Sequence, residues 1–103
     1  MDNTIELISR ALDAALMRQT AIANNIANAN ARDYQTQRVN FEEQLANGES
    51  SVAPFYEQSD TPSSIDEQMA LSVKNATQFR ALIKGLNHKL AIMKLAVQGN
   101  NAS

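Results

Sequence analysis

From Met69 onward apolar residues return every seven positions, as Met69, Ala76, Ile83, Leu90 and Val97. A second set follows three residues after each of the first four: Ser72, Phe79, Leu86 and Met93, of which only Ser72 is polar. Four sustained heptads demand a long helix with one continuous packing seam. Ser64-Ile65-Asp66-Glu67 reads as a capping box that starts this helix after a Pro-containing turn. Residues 65–97 would then span on the order of 50 Å at about 1.5 Å per residue. Leu90 to Val97 is apolar on more than one face, because Ile92 and Leu95 lie outside the seam. A helix wet on its outer side does not need such a pattern, so the spacing predicts that another subunit covers this end.

A second helix is predicted over residues 4–30. Ile5, Ile8, Leu12, Ala15 or Leu16, Ile22 and Ile26 recur at spacings of three and four, with Gln19 interrupting the stripe. Asn3 followed by Glu6 resembles a capping box. Between the helices, residues 31–64 read as an irregular connection. Tyr34 to Phe41 is compatible with extended chain. Asn40 with Glu43 offers a cap for a short helix over Phe41–Ala46, ending at Asn47-Gly48. Glu49 to Ser64 holds both prolines and five serines and reads as a loop, anchored only by Val52, Phe55 and Tyr56. The expected fold is all-α in one domain: an N-terminal helix (1–30), an irregular segment (31–64) and a C-terminal heptad helix (65–103). The two long helices are expected to form an antiparallel, coiled-coil-like pair.

Composition narrows the function. With 103 residues, sixteen of them Ala, and no Trp, the core is limited to a few Leu, Ile, Met, Val and Phe. The absence of Cys excludes disulfides, thiolate metal sites and cysteine nucleophiles. Net charge is −2, unevenly spread: residues 1–46 carry four basic and six acidic side chains, 47–64 none and three, 65–103 five and two. The basic residues Lys74, Arg80, Lys84, Lys89 and Lys94 spread around the helix and are too sparse for a phosphate-tracking patch, so no nucleic acid is expected. The N-terminus has no basic n-region or long apolar h-region, and no apolar stretch reaches membrane-helix length.

No catalytic, cofactor-binding or metal site is expected, and no small-molecule substrate. His88 is the single histidine and reads as a helix-surface residue. Glu42-Glu43 and Asp66-Glu67 are adjacent pairs that point in different directions. The unusual feature is Ala23-Asn24-Asn25-Ile26-Ala27-Asn28-Ala29-Asn30. Asn disfavours helix interiors because its amide competes for the backbone. Fraying explains Asn28 and Asn30. It explains Asn24 and Asn25 less well, since Ile22 and Ile26 still sit on the stripe; the functional reading is amides that bind backbone in a bend or in a neighbouring subunit.

Asn25-Ile26-Ala27-Asn28, six residues before Tyr34, resembles the N-x-A-N element and following aromatic shared by flagellar axial proteins. Ala31-Arg32-Asp33 stands where that signature usually has Thr-Pro-Gly, which removes the residues that would force a turn. Phe41 followed by Leu45, and Ser64 to Ala70 with Asn75, Phe79, Ala81-Leu82, Lys89, Lys94 and Ala96-Val97, resemble the proximal rod protein family, FlgB. The resemblance covers roughly residues 10–45 and 64–99.

It implies a structural rod subunit, periplasmic in the flagellar basal body and exported by the type III apparatus without a cleaved signal. The implied partners are other copies of the chain, other rod proteins, and membrane-ring or rod-adaptor proteins. Packing is expected from Ile5, Ile8, Leu12, Ile26, Met69, Phe79, Ile83, Leu86, Leu90, Met93 and Val97, and a family-specific bend or contact from Asn25, Ala27, Asn28 and Tyr34. The competing reading is a soluble helical hairpin acting as an adaptor or coiled-coil partner.

Overall fold

The computed structural model describes residues 3–49 and 52–102. Met1-Asp2, Ser50-Ser51 of the expected loop and Ser103 of the C-terminal zone lie outside the described residues. The element order is α1 (Thr4–Ala27), β1 (Gln37–Asn40), α2 (Glu42–Ala46), β2 (Phe55–Gln58) and α3 (Ile65–Ala102). The chain is mostly helical. Its two long helices pack against each other, and β1 pairs antiparallel with β2, with Gln37 opposite Gln58 and Asn40 opposite Phe55. The expected all-α fold is thus corrected to a helical fold carrying a two-stranded sheet. No helix among the described residues is long and apolar enough to cross a membrane.

Three polar links fix how α1 and α3 lie. Asn25 bonds Gln68, Gln19 meets Ser72, and Asn75 bonds the carbonyl of Ala15. Residue numbers fall on one helix as they rise on the other, so the pair runs in opposite directions. With 24 and 38 residues the helices are about 36 and 57 Å long. The register runs out of α1 near Leu86, and the remaining residues of α3 project as an overhang of about 24 Å. The molecule is accordingly elongated, 67 × 26 × 15 Å.

The contact face of α3 differs from the apolar heptad. Gln68 and Asn75 are buried; Ser72, Ala76, Phe79, Leu82, Ile83, Leu86 and Lys89 are half-buried. The face therefore follows 68-72-75-79-82-86-89, a heptad shifted by one residue in one of its two positions. Met69, expected in the seam, is 57% exposed at its flank. On α1, Ile5, Ile8 and Leu12 are half-buried and Ile26 is at the margin of exposure. Leu90, Met93 and Val97, also expected in the seam, lie past the end of α1 and are exposed, as are Ile92 and Leu95.

The tightest packing is elsewhere. Ala14 on α1, Val39 on β1 and Phe41 form the buried apolar cluster, with Ala11, Met17 and Leu45 against it. Ala14 lets β1 approach α1 closely, and Phe41 is 1% exposed. Cross-strand and surface ion pairs join Arg38 to Glu57 and Glu43, and Arg18 to Glu42. Exposed pairs of this kind contribute about 0–1 kcal/mol each.

Local signals were met unevenly. Ser64 caps α3, its Oγ accepting the Glu67 N–H at 3.1 Å, while Glu67 accepts from Ser63 rather than closing the box on Ser64. Gly48, at φ +86, ends α2 as a residue without Cβ can. Asn3 makes no side-chain cap: its φ −90 and ψ 6 keep the backbone near the helical bridge rather than extended, which leaves the amide badly placed. The short helix is preceded by Phe41, also without a side-chain cap, so Asn40 does not serve. α1 ends at Ala27, with turns over 28–30.

Candidate functional site

The Asn-rich end of α1 is where the bend, the sheet and α3 meet. Asn25 is 6% exposed. Its Nδ2 donates to the Gln37 carbonyl and to Gln68 Oε1, both at 2.9 Å. Its Oδ1 accepts from the Tyr34 hydroxyl and from the Gln37 N–H, both at 2.8 Å. Two donors and two acceptor sites are all that an Asn amide offers, and all four are used. The orientation of the amide is fixed, because the Gln37 N–H can only donate and its carbonyl only accept. One side chain thus mimics a strand edge for Gln37 and holds β1 against α1.

The network extends outward. Gln68 Nε2 donates to Ser63 Oγ at 2.9 Å, joining the hub to the turn that starts α3. Asn28 Nδ2 donates to the Asn24 carbonyl at 2.9 Å, a second bond to an oxygen that already accepts the Asn28 backbone N–H. Asn24 Nδ2 reaches Gln37 Oε1 at 3.4 Å. Ala27 and Asn30 are exposed. Ala31-Arg32-Asp33 closes a turn without Pro or Gly: the Tyr34 N–H bonds the Ala31 carbonyl, and among the described residues Gly48 alone has positive φ. Burial pushes the Tyr34 phenol above its ordinary pKa, so the hydroxyl keeps the proton it donates to Asn25.

The structure brings Asn25 and Tyr34 into direct contact and uses Asn28 to close the helix. It leaves Ala27 outside the network. Sequence reasoning gave no role to Gln37, Ser63 or Gln68, which complete it. Gln68 and Asn75 share the seven-residue spacing of the true seam, but a search for apolar periodicity passes over polar residues. Asn75 is 5% exposed; its Nδ2 donates to the Ala15 carbonyl at 2.8 Å, and its Oδ1 has no partner among the described residues.

Beside the hub a groove of about 510 Å³ opens between α1, α3 and the β1–α2 segment, with Ala21, Ile22, Val39 and Leu71 among its apolar lining. Among the described residues no group of three or more His, Asp or Glu is placed to hold a metal ion. His88 is exposed on α3. The hub contains no side chain that titrates near neutrality. What it can do is hold geometry: it sets the angle at which the chain leaves α1 and the register of α1 on α3. No protein-family model and no curated protein matches the chain.

Proposed function

We propose that the chain is a structural subunit of the bacterial flagellar rod, of the proximal rod type, and that its work is mechanical rather than catalytic. The observation that carries this reading is the hub. The residues that resemble the axial-protein signature, Asn25, Asn28 and Tyr34, are engaged at one bend, and the bend is locked to α3 through Gln68. A signature that joins the two terminal helices in a fixed register suits a subunit whose coiled-coil-like helix pair transmits torque.

The exposed overhang of α3 supports the same reading, since its apolar residues find no cover within the described chain. In this proposal the subunit reaches the periplasmic rod through the type III export apparatus without signal cleavage. There it packs against its own copies, other rod proteins and membrane-ring or rod-adaptor proteins. A heterologous contact that does not close builds a filament, as a rod requires.

Quantitative mass spectrometry of purified hook–basal bodies from the source cell tests the proposal. Peptides of this chain at a stoichiometric level are the expected result. Their absence, with the protein recovered away from the basal body, would sink it and favour the helical-adaptor reading.

A further inference from the structure

Charge and apolar exposure are segregated along the molecule. From Gln68 to the end of the sequence there are five basic residues and no Asp or Glu. Residues 31–67 carry eight acids against two Arg. The acidic segment packs beside the second half of α1 and the first turns of α3. The cationic overhang, with Leu90, Met93 and Val97 exposed on one stripe and Lys94 beside them, lies at the other end of α3.

These two ends are complementary in both charge and polarity. The overhang offers an apolar helix with basic flanks. The acidic end offers the groove, with Ala21, Ile22, Val39 and Leu71 inside and Glu43 and Glu67 among its exposed lining. The groove's own lining balances its acids with Arg18, Arg38 and Lys74, so the attraction comes from the acidic segment around it. Two overhangs would not pair with each other, because every charged side chain they bring together is basic. Unlike surfaces at opposite ends give a head-to-tail contact that repeats instead of closing into a dimer.

We infer that the α3 overhang of one copy docks in the groove at the acidic end of a second copy. The inference rests on the rod reading for its biological setting and deepens it by naming the two surfaces that meet.

Sedimentation of the full chain over a range of protein and salt concentrations tests it. The expected result is mass that grows past the dimer with concentration and shrinks with salt. Met93→Asp abolishes association by placing a charge in the apolar contact. Lys94→Glu and Asp60→Lys, the latter in the acidic segment at the groove's edge, each weaken it by about tenfold. An equimolar mixture of those two variants recovers assembly, because a reversed tail then meets a reversed head. All three residues are exposed and outside the core, so unchanged circular dichroism verifies the fold.

A chain that stays monomeric at low salt, stops at a dimer, or associates equally well in all variants overturns the inference. So does a mixture no better than its parts. Wild-type-like assembly of the variants together with stoichiometric presence in hook–basal bodies removes this contact and leaves the rod reading. The predicted complementation without any presence in basal bodies does the reverse.

Discussion

Between Ala15 and the bend, α1 and α3 are joined by amides and a hydroxyl; from Leu12 to the free end the same two helices meet through Ile, Leu and Phe. In the first half Asn25, Gln68, Gln19, Ser72 and Asn75 make directional bonds. In the second, the register sets Leu12, Ile8 and Ile5 level with Phe79, Leu82 and Leu86. Apolar contact is favourable but tolerant of sliding, whereas a buried amide accepts one partner geometry. Buried polar groups in a helix seam specify register at some loss of stability. The amide half therefore decides where α1 lies on α3. The apolar half supplies adhesion and continues into the overhang, where adhesion is left over for another chain.

The largest expected effect is in the amide half. Asn25→Leu strands the Tyr34 hydroxyl, both Gln37 backbone groups and Gln68 Oε1 together. Each buried polar group left unpaired costs about 1–3 kcal/mol. Even with water reaching some of them, a loss of about 3 kcal/mol or more is expected, a large part of the stability of a domain this small. Urea denaturation followed by circular dichroism checks it. A midpoint close to wild type would break the contrast, since the hub would then be ornament on an apolar fold.

In the apolar half Leu86→Ala is expected to cost about 1–2 kcal/mol, below the range for fully buried Leu because the residue is only half-buried. Unlike Asn25→Leu it should leave the bend intact, so the Tyr34 ring keeps its native chemical shifts. Simultaneous loss of those signals would mean that the two halves do not act separately.

Tyr34→Phe removes one bond from the hub, while Asn25 Oδ1 keeps the Gln37 N–H, so about 0.5–1.5 kcal/mol is expected. The same hydroxyl sets an alkaline limit. Its pKa in the folded chain lies above the ordinary value near about 10, because burial disfavours the phenolate. The folded state then holds the proton more tightly than the unfolded state. This contribution is complete below about pH 10 and is lost as pH rises through the higher native value. Tyr34→Phe should flatten that part of the stability profile; an unchanged alkaline slope would place its origin elsewhere.

The same contrast explains what could be read from the sequence. Helix length and the Ser64 start were legible because each is a local pattern, and the Asn run at the end of α1 stood out in the same way. β2 was not: Phe55-Tyr56-Glu57-Gln58 follows Pro54, shows no alternation, and becomes a strand only by pairing with β1 across α2. Val39, Phe41 and Ala14 make the core together, yet none lies on a periodic stripe long enough to announce it. The true seam was hidden for a physical reason. Gln68 and Asn75 take inward positions because α1 offers them an amide and a carbonyl, and a partner's polar groups are invisible to a count of apolar spacings.

Asn75→Leu is the smallest expected change in stability and separates register from adhesion most directly. Asn75 loses one bond, to the Ala15 carbonyl inside α1, which keeps its helical N–H partner. Against that loss stands Oδ1, buried without a partner, whose desolvation is relieved when the amide goes. The two terms oppose each other, and a net change within about 1 kcal/mol is expected, with stabilisation the favoured sign. Leu at this position would also join Phe79 and Leu82 in a longer apolar seam, one that no longer penalises a shift of α1 along α3. Spin labels on exposed positions of the two helices should then report a broader distance distribution, although the melting temperature is unchanged or higher. A distribution as narrow as wild type would show that Asn25 and Gln68 hold the register alone, and would confine the directional half of the contact to the hub.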